Sequence, residues 1–446
     1  MKLKKLNTMK TKVKGFNAII FLILFIFPLT SFAQKKVEKT LDWKWEINDK
    51  TAISFINKIG DLEITTWNKN EVYLEADVVV KGKEEDVNLA IKKIQEMPVK
   101  HSDLSLEINS KFYDSWVQRS VIGIGNIKLR LLDGDKITLD ELSVKYRLVV
   151  PENAIFSLQH KYEDLSMADL GGKISLELYD CDFEAGNVAN DSKISMKYSK
   201  GSFKNLDDAL LNVYDSKLTI EKTGDITFIS KYSEATINES GNILLDSHDD
   251  EIYFSNHGDI NGKAKYTEME CGDMDKSNLV LYDCKFKGGK VNEFFLESKY
   301  TEIYLVSAKN LTFTQSYDDV VTIDYVGDLS SNSKYTDYTF ENLSNSISMS
   351  SYDDNITIIN LEKDFSGIDM EWKYTDLIIG MSPEAKYKLN FDTKYTSLEY
   401  PKSKIKETYY HKENSEFKFR GIVEGADESN CATIKINGYD GKLVIK

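Results

Sequence analysis

Between Tyr162 and Tyr395 a tyrosine recurs roughly every seventeen residues, and its flanks alternate between two patterns. Lys-Tyr stands at 161–162, 197–198, 231–232, 265–266, 299–300, 334–335, 373–374 and 394–395. Tyr-Asp stands between them at 179–180, 214–215, 282–283, 317–318 and 352–353, and His248-Asp249 fills the remaining place. A fixed period of this length marks a stacked repeat, in which each unit buries its apolar face only against its neighbours. No proline occurs between Pro151 and Pro383. Strands bonded in a continuous ladder require that, because proline has no N–H to donate.

Within the array the unit reads apolar–x–apolar–x–Tyr, two polar residues, then apolar–x–apolar. Phe294, Leu296, Ser298 and Tyr300, followed by Ile303 and Leu305, are one example. Tyrosine shares parity with the apolar residues before it, so alternation along a strand predicts a ring pointing inward. The polar pair after it predicts a corner. Gly224, Gly258 and Gly327 each stand seven residues before a ladder lysine, with Asn190 and Asn292 in the same phase. Glycine and asparagine accept left-handed backbone angles, so this phase predicts a second, left-handed corner in every two-rung unit. The favoured architecture is an all-β parallel solenoid with rungs of about 17–18 residues and a tyrosine ladder. A coil of about 34 residues and an antiparallel meander also fit the period.

The alternating flanks have an electrostatic reason. Successive rungs lie about 4.8 Å apart, and an unbroken column of lysine or aspartate would repel at that spacing. Alternation moves like charges to every second rung, and sets Lys334 diagonally between Asp318 and Asp353.

Residues 34–150 lack the repeat. Leu62-Ile64 with Trp67, Val72 to Val80, Leu104 to Ile108 and Val144 to Val150 alternate as half-buried strands do. Val87, Ala90, Ile91 and Ile94 recur at helical spacing behind an acidic start. This region reads as a small strand-rich or α+β cap on an array covering 151–399. Residues 400–446 leave the period and read as a C-terminal cap.

The first 33 residues carry six lysines and no acid, then an apolar run from Ala18 to Phe27 and an exit at Ser31-Phe32-Ala33. That is the pattern of a secretory signal peptide cleaved after Ala33. The 57 basic residues less those six leave 51 against 72 acidic ones, a formal charge of −21. That balance disfavours nucleic acid and anionic lipid as partners. Four cysteines in an exported chain invite disulfides. Cys181 and Cys284 share a phase but lie six rungs apart, roughly 29 Å, far beyond disulfide reach. The cysteines are therefore expected to be free.

No H-E-x-x-H, G-x-S-x-G or phosphate-binding loop appears among these residues. His248 occupies a tyrosine place and reads as a packed substitute ring. Asp249-Asp250, Asp318-Asp319 and Asp353-Asp354 could contribute to a calcium site, but read as solvated corner acids. Short, even rungs predict no deep pocket. No catalytic, cofactor-binding or metal-binding residue is assigned, and no cofactor is expected.

Gly60-Asp61-Leu62-Glu63-Ile64 with Trp67, and Tyr146-Arg147-Leu148-Val149-Val150-Pro151 leading into the rungs, resemble the bacterial "putative adhesin" family. That family comprises exported β-helical proteins of unknown function. The resemblance implies a β-solenoid in the periplasm or on the outer surface of a Gram-negative bacterium. The resulting expectation is a non-enzymatic scaffold or adhesin-like surface, with a surface polymer or an envelope protein as partner. A carbohydrate-active β-helix enzyme is one alternative. A periplasmic accessory in envelope-stress signalling, suggested by the family alone, is the other.

Overall fold

The computed structural model describes residues 34–121, 124–189 and 191–446. The expected signal peptide and Asn190 lie outside the described residues. The repeat forms a parallel β-solenoid. Tyr179 stands beside Lys197, and Lys197 beside Tyr214, so successive coils advance by 18 and 17 residues. The parallel register removes the meander, and the short step removes the 34-residue coil.

One coil shows how the sequence turns. Strand Ile226–Lys231 points Ile226, Phe228 and Ser230 inward. The chain turns at Tyr232, and strand Glu234–Glu239 points Ala235 and Ile237 inward. Asn238 and Glu239 are both exposed, so alternation breaks there and the chain bends again before Ile243. Stacked coils align these positions into a continuous apolar core containing Phe203, Phe228, Phe254, Phe286, Phe313 and Phe340. Burying such a side chain contributes about 1.5–3 kcal/mol.

The glycine phase does not form a left-handed corner. Gly224, Gly258, Gly327 and Asn292 all lack positive φ. Gly224 and Gly258 leave room for a side chain of the preceding coil, since a Cβ there would collide with Asp208 Oδ1 and Asn242 Oδ1. Those oxygens cap the next corner. Asp208 accepts the N–H of Asp225 at 2.8 Å, Asp225 that of Asn242 at 2.7 Å, and Asn242 that of Asp259 at 3.0 Å. A Cβ at Gly327 would meet the backbone carbonyl of Lys309.

The N-terminal region continues the solenoid downward. Strands Ala52–Asn57 and Asp61–Trp67 pair in parallel with Ile155–Lys161 and Leu165–Met167. Beyond them, Lys35–Glu46, Glu71–Gly82 and Lys136–Pro151 form an antiparallel sheet. Helix Glu84–Gln95 buries Val87, Ala90 and Ile94 and begins with Glu84, Glu85 and Asp86, which suit the positive end of its dipole. Among the described residues no helix is long and apolar enough to cross a membrane.

At the other end the chain returns on itself. Strand Ala432–Ile445 lies between Gly367–Met381 and Tyr387–Glu399 and pairs in parallel with both. Residues 400–446 leave the period in sequence, but Tyr439 rejoins it in space. A hairpin of Ile405–Glu413 and Glu416–Val423 extends the sheet from Tyr387–Glu399.

The four cysteines are free, with Cys181, Cys271 and Cys284 buried. Burial raises the pKa of all three thiols, which suppresses the reactive thiolate. We expect a thiol reagent to titrate four groups in the unfolded, unreduced protein. In the native protein Cys431 should react first. Fewer than four would reveal a disulfide.

Candidate functional site

The tyrosines line one outer corner of the solenoid. Their position follows from backbone handedness. In the Lys-Tyr coils tyrosine itself is left-handed: Tyr162, Tyr198, Tyr232, Tyr266, Tyr300, Tyr335, Tyr374 and Tyr395 have φ between 54° and 74°. In the other coils the aspartate after the ring is left-handed, with Asp180, Asp215, Asp249, Asp283, Asp318 and Asp353 between 46° and 58°. A left-handed residue resets the alternation. Lys299 and Tyr300 therefore both face outward, and Thr301 turns in.

This corrects the inward ring. Tyr300 is 40% exposed and Thr301 is 1% exposed. The eight left-handed tyrosines range from 40% to 61% exposed. Tyr179, Tyr214, Tyr282, Tyr317 and Tyr352 share a register column with the lysines and are half-buried. The electrostatic alternation holds in this register, because each ladder lysine from Lys197 to Lys373 lies between rings of adjacent coils.

The rings form one unbroken edge-to-face ladder from Tyr162 to Tyr395. Centroid separations are 5.3–6.3 Å and interplanar angles 68–88°. His248 serves as a ring between Tyr232 and Tyr266. Tyr439 stands between Tyr374 and Tyr395. It supplies the Tyr-Asp member that the sequence omits between two successive Lys-Tyr pairs, and Asp440 is left-handed like its counterparts. Lysines lie over several rings. Lys231 Nζ is 4.6 Å from the Tyr232 centroid, and Lys299 Nζ is 4.7 Å from both Tyr300 and Tyr317.

An inward polar column holds this corner in place. Ser216 Oγ accepts the N–H of Ser199 at 3.1 Å and donates to the carbonyl of Tyr214 at 2.7 Å. Ser233 and Thr301 repeat the arrangement. Three aspartates occupy the same column. The doubled acids are therefore not a pair of solvated corner acids: the first faces out, and Asp250, Asp319 and Asp354 are buried. Asp319 Oδ2 accepts the hydroxyls of Ser298 and Ser316, both at 2.6 Å, and Oδ1 accepts the N–H of Thr301 at 2.8 Å.

Burial raises the pKa of all three carboxyls, opposed by these hydroxyl and N–H donors. A carboxyl whose folded pKa exceeds its unfolded value of about 3.9 gains stability when protonated. That gain is complete below the unfolded pKa and disappears as pH rises through the folded one. Asp319→Asn carries no charge, so it should improve relative to wild type as pH rises above about 4. Denaturant midpoints at a series of pH values measure this. A difference that shifts the other way would show that the donors outweigh burial.

A second feature departs from expectation. The even rungs predicted no deep pocket, yet a groove of about 660 Å³ lies where the N-terminal antiparallel sheet meets the first coils. Asp61, Glu63, Asp182, Glu184, Arg147 and Lys200 help line it. Arg147 bridges Glu63 at 3.3 Å and Glu75 at 2.6 Å, and Lys145 lies 3.8 Å from Asp61. The groove comes from strands Glu71–Gly82 and Lys136–Pro151 flanking the solenoid face, not from an inserted loop. The strand signals were readable, but their angle to the array was not.

No family model and no curated protein matches the chain, so the family resemblance rests on its motifs alone. Among solved structures the chain aligns with a "putative cell adhesion protein" from Clostridium sporogenes ATCC 15579. Identity is 10% over 92% of this chain and 99% of that one, with a TM-score of 0.19. At that score the likeness carries no weight for fold or function.

Proposed function

We propose that the protein is an exported, non-enzymatic β-solenoid of the cell envelope whose tyrosine corner serves as a scaffold or adhesin-like binding surface. The supporting observation is the conformation of its rings. Positive φ is costly for a bulky residue and inexpensive for glycine or asparagine. Eight tyrosines nevertheless occupy such positions. Edge-to-face contacts return about 0.5–1.5 kcal/mol per pair, which glycine would not need. Strained residues of this kind cluster at working surfaces. The result is a continuous stripe of rings flanked by lysine and aspartate, suited to an extended partner such as a surface polymer or an envelope protein.

Fractionation of cells tests the location. The protein should appear in the envelope fraction beginning at Gln34; an intact Met1 in the cytoplasm would defeat the proposal. Binding of purified protein to isolated envelope polysaccharide and envelope proteins tests the surface. Replacing Tyr266, Tyr300 and Tyr335 together with alanine should abolish binding while leaving the protein folded. Unchanged binding would remove the stripe from the reading.

The groove supports a second reading, a carbohydrate-active enzyme, because carboxylates and cations line it together. Depolymerisation of envelope polysaccharide that is lost in Glu184→Gln would establish that reading instead.

A further inference from the structure

The continuous sheet ends in a strand with one open side. Strand Ile405–Glu413 pairs with Glu416–Val423 and, among the described residues, with no other strand. From Lys406 to Glu413 it is exposed, with His411 alone half-buried. An open edge presents a row of unpaired N–H and C=O groups, a ready template for another strand. We propose that this edge pairs antiparallel with the same edge of a second copy of the chain, forming a two-fold symmetric dimer.

The charge pattern selects that partner. Glu407 stands opposite Gly421 and Tyr409 opposite Arg420, so Thr408 is the extra residue of a β-bulge. A bulge shifts the parity of the side chains on either side of it. With Thr408 left out of the count, Glu407 and Lys412 lie two places from Tyr410 on opposite sides and share a face. Lys406 and Glu413 lie three places away on the other face. A two-fold axis between the Tyr410 residues of the two copies sets Glu407 opposite Lys412 and Lys406 opposite Glu413. Symmetry repeats each pair. Opposite charges facing each other across strands stabilise a pairing, and like charges oppose it.

The bulge is essential to the match. Without it the same axis would place Glu407 opposite Glu413. Moving the axis to Tyr409 or to His411 loses every ion pair. Lysines and bulges normally protect an edge from indiscriminate pairing. Here they leave one favourable register, with a self-complementary patch of the kind a two-fold dimer requires. The dimer would join two solenoids at their C-terminal ends and present two tyrosine stripes from one particle. It does not depend on what either stripe binds.

Sedimentation velocity of the full-length purified protein, from about 1 to about 100 μM, tests the proposal. Wild type should show a monomer–dimer equilibrium. Lys412→Glu sets glutamate opposite glutamate twice and should weaken the dimer by about tenfold or more. The charge swap Glu407→Lys with Lys412→Glu should restore it. Circular dichroism verifies that these exposed substitutions leave the fold intact. A wild type that stays monomeric would overturn the proposal. So would a dimer indifferent to Lys412→Glu, or a swap that fails to rescue.

Discussion

A chain lacking residues 432–446 is expected to lose its last coils and to expose them to proteolysis, while the array before Tyr352 stays folded. Strand Ala432–Ile445 fills a slot paired on both sides, and Ile434, Ile436, Leu443, Val444 and Ile445 are buried. Each contributes about 1.5–3 kcal/mol. The flanking strands cannot simply close the gap. Lys373 and Lys394 both pair with Tyr439, so closure would set one lysine beside the other about 4.8 Å away. It would also bring together two left-handed tyrosines, Tyr374 and Tyr395, without the Tyr439 ring between them. Because each coil contacts only its neighbours, the damage should stay local. Limited proteolysis with mass mapping should show cuts beyond about residue 360. A synthetic peptide of residues 432–446 should protect those sites. Proteolytic resistance equal to wild type would mean the returning strand contributes little.

That strand marks where the sequence could and could not be read. The period, the short strands, the parallel stacking and the helix near residues 84–95 were all legible, because each is a local pattern of apolar residues, corners and absent proline. The return of Tyr439 was not, since a rung moved some forty residues along the chain breaks no local rule. Its signal was present as a pair of defects. Lys373-Tyr374 and Lys394-Tyr395 follow each other without a Tyr-Asp between them, and Tyr439-Asp440 stands alone. The outward rings were hidden for a different reason. Alternation predicts facing only within a strand, and one left-handed residue resets it. Aligning the two motif types by tyrosine concealed that reset. Aligned by handedness, Tyr300 matches Asp283 and Asp318, while Lys299 matches Tyr282 and Tyr317. The glycines were misjudged because left-handed freedom and close approach draw on the same missing Cβ, and only the neighbouring Asp208 and Asn242 distinguish them.

Three neighbouring substitutions in one coil should then separate core, corner and stripe. Phe294→Ala should cost about 3–5 kcal/mol, the usual result of emptying a packed aromatic site. Phe294 is fully buried and its ring lies 5.6 Å from that of Phe286. Thr301→Val keeps the shape but removes the oxygen that accepts the buried N–H of Cys284 at 3.4 Å, and should cost about 1–3 kcal/mol. Tyr300→Ala loses edge-to-face contacts to Tyr282 at 5.7 Å and Tyr317 at 5.8 Å, while much of its ring already faces water. Its cost should be about 1–2 kcal/mol. Tyr300→Gly provides the sharper comparison. At φ 57° glycine is unstrained where alanine is not, so Tyr300→Gly should be at least as stable as Tyr300→Ala. In a helix or strand interior that order is reversed. Equilibrium denaturation of the four variants measures the series. A Tyr300→Ala loss as large as that of Phe294→Ala would place the ring in the core after all. Glycine falling well below alanine would deny the left-handed corner on which the exposed stripe depends.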